Sequence, residues 1–149
     1  MIHAQNEKVV ASLPTAATGA TATASLTIDT LGYDVASISV IRASNSSTVF
    51  ANALKVEEAD TDTLNSYSNV TALVLGGTGG FTVGAISVAA TNSATIVEMD
   101  VDCKAKKRYL KVSYTPGASA VVGIVAKLGR AEEAPTSDSA AGAVKRVYG

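Results

Sequence analysis

Four carboxylates stand close together at Glu57, Glu58, Asp60 and Asp62, and alternating carboxylates of this kind are what a calcium loop is built from. The stretch lacks the Asp-x-Asn/Asp-x-Asn/Asp-Gly order and the distal bidentate glutamate of such a loop, so it reads as a solvated strand end. Glu98 and Asp100 offer a carboxylate pair for glycoside hydrolysis, but residues two apart on a strand sit side by side, not across a cleft. The single histidine, His3, and the single cysteine, Cys103, are a hundred positions apart. That is too few ligands for zinc, and a serine triad would have to recruit its base from the chain's first residues. Gly76-Gly77-Thr78-Gly79-Gly80 resembles a phosphate cradle only until one asks for its lysine and following helix, and both are missing. No metal, cofactor or enzymatic activity is expected.

Two basic groups remain as contact candidates. Lys104, Lys106, Lys107 and Arg108 form the densest positive patch, beside Tyr109, and suit either a solvated turn or an acidic partner surface. Lys145, Arg146, Val147 and Tyr148 join two cations, an apolar group and an aromatic near the end of the chain, the make-up of a tethered contact segment. The formal charge of −1 gives no field that would gather nucleic acid or an anionic membrane, and neither is an expected partner.

The elements that must position these groups are strands. In Val97 to Cys103, Val97, Met99, Val101 and Cys103 share one parity while Glu98, Asp100 and Asp102 share the other, the period of a half-buried strand. Leu110, Val112 and Tyr114 oppose Tyr109, Lys111 and Ser113 in the same way, until Pro116-Gly117 ends the run. Ala24, Leu26 and Ile28, and then Ala36, Ile38 and Val40, mark two earlier inward faces. Weaker strands are expected over Asn6 to Leu13, around Leu54 and Val56, over Thr71 to Leu75 and over Phe81 to Ala89, and a strong one over Val121 to Leu128. With about eight strands and no amphipathic helix, the expected fold is a single-domain antiparallel β-sandwich or jelly roll.

At 149 residues the chain can bury a true core, about 68–70% of the surface of its unfolded form. Hydrophobic residues are 47% of it, mostly Ala and Val, with no Trp and two Phe, so the layers should be small and β-branched. The expected division is a sandwich body over 1–129 and an extended C-terminal arm over 130–149, where small and polar residues are broken by Pro135 and Gly142. Cys103 lies on an inward parity and should be a buried thiol. Nothing at the start has the basic and apolar regions of a secretory signal, and a reducing, soluble compartment is expected.

Two segments carry a resemblance: LKVEEADTDTL at 54–64, and KKRYLKVSYTPG at 106–117 followed by VVGIVAKLGRAEEAP at 121–135. In combination these are similar to small β-rich virion proteins of tailed bacteriophages, of the capsid decoration or cement type. The resemblance implies a structural protein on the phage head surface, assembled in the host cytoplasm, that binds the major capsid protein as a homo-oligomer, such as a trimer, through terminal arms. A neck, tail or receptor-binding component is the nearest alternative. A small carbohydrate-binding module is another, with tyrosines in place of the tryptophans that usually stack on sugars.

Overall fold

Inward-facing residues of every second position build the eight strands, and a computed structural model of the chain describes residues 7–14, 16–86 and 93–131. The strands are β1 (Lys8–Ser12), β2 (Ala24–Asp29), β3 (Tyr33–Arg42), β4 (Ala51–Ala59), β5 (Ser68–Val74), β6 (Thr95–Asp102), β7 (Tyr109–Pro116) and β8 (Val122–Ala131). They form two four-stranded antiparallel sheets, ordered β1-β8-β3-β6 and β2-β7-β4-β5.

That order has a simple origin. β1 pairs with β8, β2 with β7, β3 with β6 and β4 with β5, so the chain is one long antiparallel ribbon folded back at the β4–β5 connection. Rolling the ribbon brings β8 against β3 and β7 against β4, which closes each sheet and yields a jelly roll. Both inner faces are filled by small aliphatic side chains: Leu26 and Ile28, Ile38 and Val40, Leu110 and Val112, and Ile124 and Leu128 are all buried. Burial of these faces is the main favourable term, at about 25 cal/mol per Å² of apolar surface removed from water.

Among the described residues one fully buried position is charged. Arg42 continues the inward parity of Ile38 and Val40 and is 0% exposed. Its guanidinium donates to the carbonyls of Val49 and Ser47, at 2.6 and 3.2 Å, and lies over the Phe50 ring. Phe50 in turn packs on Tyr114, whose hydroxyl donates to the Phe50 carbonyl at 2.7 Å.

The alternating run expected over Phe81 to Ala89 is not a strand in its described part, 81–86. Phe81 makes a single bridge to Leu75, and Val83 and Ile86 lie half-buried against the edge of the core. The Ile86 N–H donates to the Thr48 carbonyl, a loop contact. Apolar alternation there serves a segment that caps the sandwich without joining a ladder. The turn before it does need its glycines: Gly76 and Gly79 have φ of 70° and 75°, and a side chain at Gly80 would meet the Val74 carbonyl. At the other end, β8 continues through Gly129 to Ala131, which pairs with Tyr33. The contact segment Lys145 to Tyr148, the arm beyond 131 and His3 lie outside the described residues.

Candidate functional site

The basic cluster expected as a contact patch sits at one end of the sandwich, in a 3-10 turn at Cys103–Ala105 and the residues leading into β7. Arg108 grips Asp29 with two parallel bonds, Nε to Oδ1 at 2.9 Å and Nη2 to Oδ2 at 2.8 Å, and stacks on Tyr109. Lys104 pairs with Asp34, Lys107 pairs with Asp60, and the Lys107 backbone N–H donates to Glu58. Lys106 is the member of the four with no carboxylate in ion-pair reach among the described residues. The hydrogen bonds from Arg108 hold the Asp29 carboxyl below its ordinary range, and the same pair raises Arg108. The cluster therefore ties the β2, β4 and β7 ends together.

The acidic run is dispersed in the same way. Glu57 takes Lys55 at 2.8 Å, Glu58 the Lys107 backbone, Asp60 the Lys107 ammonium and Asp62 the Tyr67 hydroxyl. Among the described residues no group of three or more His, Cys, Asp or Glu is placed to hold a metal. Glu98 and Asp100 stand on the outward side of β6, paired across to Ser39 and Ser37. Cys103 is buried, and burial, with Asp102 and Asp34 nearby, pushes its thiol up to about 11.

Two surfaces that the residue pattern did not single out are built by the fold. The first is the outer face of the β1-β8-β3-β6 sheet. Gly123 pairs with Ile41, Ile41 pairs with Ile96, and the Leu13 side chain lies beside Gly123, 3.5 Å from where its Cβ would stand. An apolar row thus runs across β8, β3 and β6 from the residue that follows β1, and Leu13 and Ile96 at its ends are 72% and 57% exposed. The next row holds Ala11, Val125, Ser39 and Glu98, so the face grades from apolar to acidic along β6.

The second is a groove of about 350 Å³ on the outer face of the β2-β7-β4-β5 sheet. Its floor is set by register: Lys111 stands between Thr27 and Glu57, Ser113 between Ser25 and Lys55, and Thr115 opposite Ala53. Thr23 and Thr115 share a hydrogen bond at 2.8 Å. The wall is the β4–β5 connection, bearing Leu64, Asn65 and Tyr67. Asn65 adopts φ 71°, and the Ser66 hydroxyl donates to the carbonyls of Thr61 and Thr63, which fixes the loop. Tyr67 donates to Asp62 at 2.6 Å and holds its ring over the Lys111 ammonium, 5.4 Å from the centroid. Burial and the Asp62 charge push the phenol up to about 12, so it stays a donor. The groove thus gathers hydroxyls, an amide, two ammonium groups and one aromatic ring.

No family model matches the chain, and no curated protein is significantly similar to it. Solved structures give faint likenesses. A family GH115 4-O-methyl-α-glucuronidase with specificity for decorated arabinogalactans is 8% identical with a TM-score of 0.38, and the match spans 78% of this chain but 14% of that one. A pilus protein of Bacillus endospore appendages is 12% identical over 83% of this chain and 86% of its own, with a TM-score of 0.34. A family 35 carbohydrate-binding module from Clostridium thermocellum is 10% identical over 83% of this chain and 93% of its own, also with a TM-score of 0.34. At this level of similarity none of the three assigns a function.

Proposed function

We propose that this chain is a non-catalytic structural protein that docks on another protein through the outer face of its β1-β8-β3-β6 sheet. The observation that carries the reading is the row Leu13, Gly123, Ile41, Ile96, which leaves large aliphatic side chains in water at both ends of a sheet. A partner that covered it would gain about 25 cal/mol for each Å² of apolar surface removed from water. Joined to the resemblance of 54–64, 106–117 and 121–135, the partner is the major capsid protein and the chain a decoration protein of a phage head. A shell repeats one modest interface many times, so an interface this narrow suffices for retention. Jelly rolls also host viral capsid and lectin domains, which sets the class of folds without choosing between them. Lys106, Lys107, Arg108 and the segment Lys145, Arg146, Val147, Tyr148 supply secondary contacts in this reading.

The test uses shells assembled without the chain and then loaded with purified protein. Leu13→Asp and Ile96→Lys together remove saturable loading, while the circular dichroism spectrum is unchanged because both side chains are exposed. Full loading by the double variant refutes the surface. Truncation after Ala131 tests the terminal segment, and it spares the Tyr33–Ala131 pairing that truncation at Gly129 would cut.

A second reading, a small carbohydrate-binding module, is favoured by the groove under Tyr67. Hydroxyls, an amide, ammonium groups and one aromatic ring converge there on the opposite side of the sandwich. Retention of the labelled chain on a glycan array, lost in Tyr67→Ala, supports it; an empty array removes it.

A further inference from the structure

The groove contains a charge imbalance. Lys55 and Glu57 satisfy each other at 2.8 Å. Lys111, one strand over and directly opposite Glu57, has no carboxylate in ion-pair reach among the described residues. Its ammonium is steadied by the Tyr67 ring, and that ring is locked by the bond to Asp62. Beside it run Ser113, Thr115 and Thr23, each able to donate and accept, and the side chain of Asn65 stands on the wall.

We propose that the groove binds an acidic sugar, a uronic acid residue within a polysaccharide, with its carboxylate on Lys111 and its ring hydroxyls on Ser113, Thr115 and Asn65. The inference rests on the carbohydrate-binding reading and names the ligand class within it. A neutral sugar would satisfy the hydroxyls and leave Lys111 partly stripped of water with nothing in exchange. A carboxylate supplies the missing charge, and a charge-assisted hydrogen bond is about twice as strong as a neutral one. An acidic peptide side chain would match Lys111 but leave the row of hydroxyls along β7 facing apolar or already paired atoms. A groove of about 350 Å³ is at the small end of ligand sites, enough to enclose one sugar residue while its neighbours continue outside.

The experiment is amide chemical-shift titration of the full chain with oligogalacturonate and with the matching neutral galactan oligomer. Saturable shifts at Lys111, Ser113, Thr115 and Asn65 are expected with the acidic oligomer, and binding about tenfold weaker with the neutral one. Lys111→Met should abolish that preference and keep the weaker neutral binding; Lys111→Arg should keep the preference. Equal affinity for both oligomers, or a preference that survives Lys111→Met, overturns the acidic-sugar proposal and leaves the carbohydrate reading standing. No shift with either oligomer removes both.

Discussion

Arg42, enclosed on every side, donates to the Val49 carbonyl at 2.6 Å, so a full positive charge in the core is held by neutral backbone oxygens and an aromatic face. Among the described residues no carboxylate reaches it. Its Nε is unpaired, and so is the hydroxyl of Thr95, its cross-strand neighbour. The residue closes the open end of the sandwich by pinning the 47–49 loop over it.

Two effects oppose each other when Arg42 is replaced. Its removal forfeits two loop hydrogen bonds but also relieves the desolvation of a charge, and the Val49 carbonyl keeps the Ser47 hydroxyl as a donor. Volume then decides. Arg42→Ala leaves a cavity beside Phe50 and should cost about 2–5 kcal/mol, whereas Arg42→Met fills the space and should recover most of that. Urea denaturation with an unchanged m value measures both; equal loss in the two variants would mean that the carbonyl bonds, not packing, carry the site.

Glycines separate into two kinds. A Cβ at Gly123 would sit in ordinary contact with Leu13 and Ile41, while one at Gly80 would lie 2.0 Å from the Val74 carbonyl oxygen. Gly123→Ala should therefore leave stability within about 0.5 kcal/mol. Gly80→Ala should cost about 1–3 kcal/mol as the 76–81 turn rearranges. Thermal melts of the two variants compare them directly.

Much of this was legible in the residues. Parity alone placed Ala24, Leu26, Ile28, Ala36, Ile38, Val40, Leu110, Val112 and Tyr114 inside, and all are buried. It did so because a half-buried strand imposes its two-residue period on the chain directly. Strand partners were not legible, since pairing β1 with β8 joins residues separated by nearly the whole described chain, and no local pattern encodes that register. Both candidate surfaces were missed for the same reason. Leu13 follows β1 while Gly123, Ile41 and Ile96 come from three other strands, and Tyr67 meets Lys111 only because a polar-looking loop folds over β7. Lys104, Lys107 and Arg108 read as a solvated turn or a partner contact because their carboxylate partners, Asp34 on β3, Asp60 just past β4 and Asp29 on β2, are distant in sequence.

At low pH the Asp29–Arg108 pair is the group to watch. Asp29 is held below its ordinary 3.8 chiefly by the bonds from Arg108, so its contribution is complete above pH 3.8 and is lost as pH falls through the lower folded value. Asp29→Asn should flatten that acid limb of the stability profile. Both side chains are partly exposed, so 1 M salt should flatten it too. An acid limb identical in wild type and variant would exclude the pair.

The alkaline limb has the opposite sign and a different cause. Burial raises the Cys103 thiol from 9.0 to about 11, and the Tyr114 hydroxyl from 10.0 to about 12. For an acid that ionises later in the folded chain, folding is favoured fully below the unfolded value and loses support as pH rises through the folded one. Stability should be level to about pH 9, decline between 9 and 11 as the cost of keeping Cys103 protonated appears, and fall further toward 12 with Tyr114 and Tyr67. Cys103→Ala should remove the first step and leave the second. The same burial makes the native thiol unreactive, so iodoacetamide at pH 8 should label it only in urea. Rapid labelling of the native chain would mean that the turn after β6 opens and that the thiol is not held in the core.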